Sequence, residues 1–155
     1  MAIEHKVARK LIRLKKTIAI AESCTGGLLT HRLTNISGSS QFLKFGLIAY
    51  SNEAKIKFLN VPAAHLKKFG AVSAQTAAAM ARGVRKCFES DFGIGITGIA
   101  GPTGGSKKKP VGLVFMAVAD QTKIIGHGYH FKGPRLQIKS KAATQALNLL
   151  SKFLL

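Results

Sequence analysis

The sequence predicts an α/β layered domain, a sheet of about five strands with helices on both faces. Three observations carry that reading. Segments with helical apolar spacing alternate with short apolar runs of strand length along the chain. Two of those runs, residues 17–21 and 92–96, lead into glycine-rich loops that carry hydroxyls: Glu22-Ser23-Cys24-Thr25-Gly26-Gly27 and Thr97-Gly98-Ile99-Ala100-Gly101-Pro102. An apolar fraction of 46% over 155 residues is enough for an ordinary core in a single domain covering residues 1–155.

Taken in order, Ile3, Val7, Leu11, Ile12 and Leu14 predict a first, amphipathic helix over residues 3–14. A strand over 17–21 enters the Ser23 loop, and a helix is expected to start near Thr25 and run to Leu33. Residues 35–40 read as a turn. The apolar and aromatic run Phe42–Tyr50 predicts a strand, after which Ser51 is placed to N-cap a helix carrying Lys55 and Lys57. Pro62 and Gly70 bracket a loop or short helix, and Ser73 caps an alanine-rich helix over 74–88. The strand 92–97 precedes the second glycine loop, 111–119 and 123–131 form a hairpin over Asp120-Gln121-Thr122, and a last helix over 135–153 buries Ile138, Ala142, Ala146, Leu149 and Leu150.

The charge balance is unusual: 24 Lys and Arg against 6 Asp and Glu give +18. A field of that size attracts nucleic acid, anionic lipid or anionic metabolites, and it also keeps a protein soluble. The lysines are scattered, with Lys107-Lys108-Lys109 as the one run, which favours the solubility reading. Two cysteines, Cys24 and Cys87, make no disulfide framework, and the basic first helix is not a signal peptide, so a reducing, cytoplasmic location is expected. No apolar stretch reaches membrane-spanning length.

A strand that ends in hydroxyls and glycines offers backbone N–H groups at a sheet edge, where open α/β sheets bind ligands and helix N-termini bind anions. Two such loops point to one shared site for a small phosphorylated ligand. The first lacks the spacing of a P-loop or of a dinucleotide fold, and it fits equally a tight turn with Ser23 or Thr25 as cap. Ser23 and Cys24 are both candidate nucleophiles, and either requires a base or a depressed pKa. His127 and His130 fall on opposite faces of a strand, and His5, His31 and His65 have no partner at ligand spacing, which speaks against a histidine triad or a zinc site. A lysine whose pKa is lowered by burial can take the base's place, and Lys55 is the best placed; its other reading is a solvated helix lysine.

The segments Ala21–Gly27, Ala49–Lys55, Gly70–Ser73, Thr97–Pro102 and Lys109–Gly112, in that order, resemble the carboxy-terminal domain of the CinA (competence/damage-inducible) family across residues 5–153. The resemblance implies a three-layer α/β/α sandwich with a mixed sheet, working as a homo-oligomer, usually a dimer. It also implies metal-independent, cofactor-free hydrolysis of the carboxamide of nicotinamide mononucleotide (NMN) to nicotinic acid mononucleotide and ammonia, in pyridine-nucleotide salvage. By motif, Ser23 is implied as nucleophile or water-positioning hydroxyl and Lys55 as its basic partner, with Tyr50 and Thr97 beside them. Arg135 is implied to face the phosphate, with Thr25, Gly26, Gly27, Gly98 and Gly101 also binding substrate. Backbone N–H groups at 24–27 or 98–101 would stabilise the oxyanion.

The chain departs from the family pattern at Ala74-Gln75, where an acid is common, and at Pro134, where an aspartate commonly precedes the arginine. Larger members carry a further amino-terminal domain, whose activity is not expected here. Two other readings stand beside this one: a nucleotide binder that has lost catalysis, and a basic nucleic-acid-binding module. No helix-turn-helix, zinc finger or aromatic stacking platform supports the second.

Overall fold

The computed structural model describes all 155 residues. Its sheet consists of β1 (Ile18–Glu22), β2 (Leu43–Ile48), β3 (Phe92–Gly98), β4 (Leu113–Ala119) and β5 (Ile124–His130), side by side in the order β2-β1-β3-β4-β5. β1 runs parallel to both β2 and β3, whereas β4 and β5 continue antiparallel, so the sheet is mixed. Helices α1 (Ile3–Leu14), α2 (Leu28–Thr34) and α6 (Arg135–Phe153) cover one face, and α3 (Asn52–Leu59), α4 (Ala63–Phe69) and α5 (Ala74–Cys87) the other.

The two faces differ because strand side chains alternate. Ile18, Ile20, Ile94 and Ile96 point to the α1/α2/α6 layer and form the larger core with Leu11, Leu29, Leu33 and Leu147. The opposite positions are Ala19, Ala21, Gly93 and Gly95, paired in register as Ala19 with Gly93 and Ala21 with Gly95. Small residues there let α5 lie close on the sheet. A Cβ at Gly93 would fall 2.0 Å from the Ala81 carbonyl oxygen, and one at Gly95 would fall 2.3 Å from that of Ala77. The alanines of α5 thus answer a strip of glycine and alanine on the strands, and neither would pack without the other.

Most elements stand where the sequence places them, including the caps. Ser51 Oγ accepts from the Ala54 amide at 3.0 Å, and Ser73 Oγ accepts from the Thr76 amide at 3.1 Å. The segment between Pro62 and Gly70 is the helix α4. Three boundaries differ by two residues or more; of these, β4 starts at Leu113 rather than residue 111, after Gly112 at a left-handed φ of 94°. The second helix starts at Leu28 rather than near Thr25, because Gly26 and Gly27 take left-handed φ values of 61° and 97° and hold residues 24–27 as a turn. β2 stops at Ile48 rather than Tyr50, because the carbonyls of Ala49 and Tyr50 turn inward to accept from Lys55.

Candidate active site

The parallel strands deliver Ser23, Ala49-Tyr50 and Thr97-Gly98 to one sheet edge. β1 leaves that edge through α2 on one face and β2 leaves it through α3 on the other, which opens a crevice between them. A cleft of about 220 Å³ lies there, lined by Ser23, Cys24, Tyr50, Asn52, Lys55, Ala71, Val72, Thr97, Gly98, Ala100 and Arg135. A larger hollow of about 520 Å³ at the opposite sheet edge, lined by Lys16, Arg85, Asp91 and Asp120 among others, brings no nucleophile and base together.

Lys55 dominates the cleft. Ser51 fixes the start of α3, and Lys55, one turn in, points back under the sheet edge with 1% of its surface exposed. Its Nζ lies 3.1 Å from Ser23 Oγ, 2.9 Å from the Ala49 carbonyl oxygen and 3.4 Å from that of Tyr50. No carboxylate reaches it. Burial therefore pushes its pKa below the ordinary lysine value of 10.5, only partly opposed by Cys24. As an ammonium, Lys55 donates to Ser23 Oγ and to the two carbonyls; as a neutral amine it gives its two N–H groups to the carbonyls and leaves its lone pair for the Ser23 hydroxyl proton.

Ser23 is held by its own amide, which donates to the Ile96 carbonyl at 3.0 Å and extends the β1–β3 pairing by one residue. The next two amides, of Cys24 and Thr25, donate to no protein acceptor; nor do those of Ala100 and Gly101 across the cleft. Thr97 Oγ1 donates to the Ala71 carbonyl at 2.8 Å and so ties β3 to the segment leading into α5. Arg135, at the start of α6, donates through Nη1 to the Gly101 carbonyl at 2.7 Å and through Nη2 to Tyr50 Oη at 3.2 Å. It bridges the two walls while staying exposed. Pro134 occupies the N-cap position without a side-chain cap, and its φ of −68° is compatible with a helix start.

Of the residues read from the sequence, Ser23, Tyr50, Lys55, Thr97, Gly98 and Arg135 meet at the cleft, whereas Thr25, Gly26, Gly27 and Gly101 do not line it. Thr25 is fully buried, its hydroxyl without a partner. The Gly26 amide closes the turn onto the Ser23 carbonyl, the Gly27 amide donates to Glu22, and Gly101 contributes its carbonyl to Arg135. Cys24 lines the cleft, but burial pushes its thiol up to about 12, which removes the thiolate that a cysteine nucleophile needs. Lys107 and Lys108 are exposed, while Lys109 Nζ donates to the Phe69 carbonyl at 2.7 Å and ties the second loop to the end of α4.

Sequence reasoning passed over Glu22. Its carboxylate is wholly buried and accepts from the amides of Gly27, Leu29 and Thr30 and from the Thr30 hydroxyl, at 2.8–3.1 Å. It is the cap of α2, and it sets the loop on which Ser23 rides. The available signal was an acid directly after an apolar strand, with a helix beginning six residues later and no Ser, Thr, Asp or Asn at its N-cap.

The chain matches the CinA C-terminal domain family over residues 1–154. It is 50% identical over 153 residues to a CinA-like protein of Syntrophus aciditrophicus, covering 98% of this chain and 36% of that protein. It is 54% identical over 134 residues to a putative competence-damage inducible protein of Moorella thermoacetica, covering 86% of this chain and 32% of that one. The chain thus spans about a third of the length of the curated relatives it matches. Among solved structures, the competence/damage inducible protein CihA from Agrobacterium tumefaciens superposes with a TM-score of 0.91 at 38% identity, covering 97% of this chain and 94% of that one. A competence or damage-inducible protein from Enterobacter asburiae gives 0.95 at 34% identity, covering 99% and 96%. Sequence and fold agree over nearly the whole chain, which belongs to the CinA C-terminal domain family.

Proposed function

We propose that the protein is an amidohydrolase that removes ammonia from the carboxamide of nicotinamide mononucleotide, with Ser23 and Lys55 as its working pair. The observation that carries this reading is the buried, uncompensated Lys55 Nζ at 3.1 Å from Ser23 Oγ. Membership of the family supports the choice of substrate, and the exposed guanidinium of Arg135 at the cleft mouth supports an anionic group on it.

Amide hydrolysis needs a strengthened nucleophile, a charge-stabilising pocket and a proton for the leaving nitrogen. Neutral Lys55 takes the Ser23 proton as Oγ bonds to the carboxamide carbon. The free amide of Cys24, which lines the cleft, is the donor nearest the nucleophile in sequence, and an oxyanion donor is typically worth about 3–4 kcal/mol. The C–N bond then breaks, the lysine proton leaves with the nitrogen as ammonia, and water cleaves the resulting ester to release the acid and restore Ser23. If Ser23 instead orients a water, the proton that Lys55 passes to the leaving nitrogen comes from that water, and no ester forms. Intact-mass spectra of quenched turnover mixtures distinguish the two routes.

The test is incubation of the wild-type protein with NMN. Stoichiometric ammonia and nicotinic acid mononucleotide are the expected products, and absence of both overturns the assigned reaction.

A further inference from the structure

The outward face of α1 carries Lys6, Arg9, Lys10 and Arg13, at positions i, i+3, i+4 and i+7. That spacing aligns four cations in one stripe about 10 Å long. None of them makes a side-chain hydrogen bond or ion pair, and together they alone line a surface groove of about 380 Å³. The one acid of the helix, Glu4, is taken by Arg32, whose Nη2 stands 2.6 Å from its carboxylate. Of the five other acids, Glu22 caps α2, Asp91 pairs with Lys16 and Asp120 holds its own turn. Glu53 on α3 and Glu89 after α5 belong to the layer on the other face of the sheet, and neither of the two ion pairs involves the stripe.

We infer that this face of α1 is a docking surface for the phosphodiester backbone of a nucleic acid, separate from the cleft. Three features choose that partner. The cations are regularly spaced and unpaired, as binding to a uniformly charged polyanion requires, and two are arginines able to grip phosphate bidentately. The apolar side of the helix, Val7, Ala8 and Leu11, is consumed by the core, so α1 has no free face with which to enter a bilayer. The field of the whole molecule, +18, draws a polyanion toward any such stripe. No base-reading element accompanies it, so the binding is independent of sequence.

The experiment measures binding of a fluorescein-labelled 20-base-pair duplex by anisotropy across a salt series. It compares wild type with two charge-matched variants: Lys6→Gln/Arg9→Gln/Lys10→Gln/Arg13→Gln on α1, and Lys67→Gln/Lys68→Gln/Lys107→Gln/Lys108→Gln on exposed positions elsewhere. Wild type is expected to bind with a steep fall in affinity as salt rises. Neutralising the α1 stripe should flatten the log–log salt slope by about 3 to 4, roughly 0.9 for each phosphate that no longer meets a cation. The control variant should flatten it by less than one. Equal losses in the two variants would mean a diffuse field without a docking surface. Absence of binding at low salt, or retention on phosphatidylserine vesicles that duplex DNA does not compete away, would equally overturn the inference. NMN turnover is measured in parallel and is expected to be unchanged in both variants, so this result and the fate of the amidohydrolase reading can be told apart.

Discussion

At the scale of single residues, the cleft turns on Lys55 losing its charge more easily than a surface lysine. Its three hydrogen-bonding neighbours are neutral, no acid faces it, and burial lowers its pKa from 10.5. Turnover on NMN is expected to rise with pH through a single ionisation below that value and then level off. Replacement with arginine, which stays charged, should remove that limb and cost about 10³-fold in kcat. A rate independent of pH from 6 to 10 would deny Lys55 the role of base. The same shift has a consequence for stability with a definite sign. The unfolded chain binds the Lys55 proton more tightly, so folding is penalised below the folded-state pKa, and the penalty fades as pH rises from there to 10.5. The residue is thus held at a cost to the fold, a common mark of a functional group.

At the scale of elements, the loop carrying Ser23 is positioned by Glu22. A 7-residue helix whose N-cap is a left-handed glycine would leave its first amides orphaned. The buried carboxylate satisfies three of them as well as the Thr30 hydroxyl. Glu22→Gln keeps the shape but turns one acceptor oxygen into a donor facing other donors. It should lower unfolding free energy by about 2–3 kcal/mol and weaken turnover by loosening the loop, read by urea melts and initial rates. Sequence patterning shows the helix and strand limits well, because apolar periods of 3.6 and 2 mark α1, α5, β3 and α6 directly. It could not show that Gly26 and Gly27 serve the turn and the Glu22 cap rather than the ligand. Glycines beside hydroxyls look alike in both roles until the amides are traced. Lys55 was legible as a candidate from its place after β2, but its burial depends on how β2 ends and α3 begins, which no local pattern reports.

For the whole molecule, the few acids matter out of proportion to their number. Burial alone would raise the Asp91 pKa. Lys16 and the amide and hydroxyl of Thr17 outweigh it and hold the carboxylate below the ordinary 3.8, tying the start of β1 to the turn before β3. Glu4 is likewise held low against its burial, by its own backbone and by Arg32, and links α1 to α2. Both folded-state values are depressed, so their stabilisation is present above the unfolded pKa and is lost as pH falls through the folded one. With 24 cations already repelling one another, thermal stability should drop steeply below about pH 4 and recover in part with added salt. Asp91→Asn should flatten that acid limb; an unchanged limb would assign the loss to general repulsion. The three layers, by contrast, rest on packing that charge does not touch, from the isoleucine core under α6 to the glycine and alanine strip under α5.

The proposed amidohydrolase reading rests on one claim, that Ser23 and Lys55 together hydrolyse a nucleotide carboxamide. The most direct measurement is kcat for ammonia release from NMN by wild type, Ser23→Ala and Lys55→Met, with folding of each variant checked by circular dichroism. On that claim, wild type turns over and each variant falls by about 10³-fold or more. Folded variants that both retain wild-type turnover would contradict it.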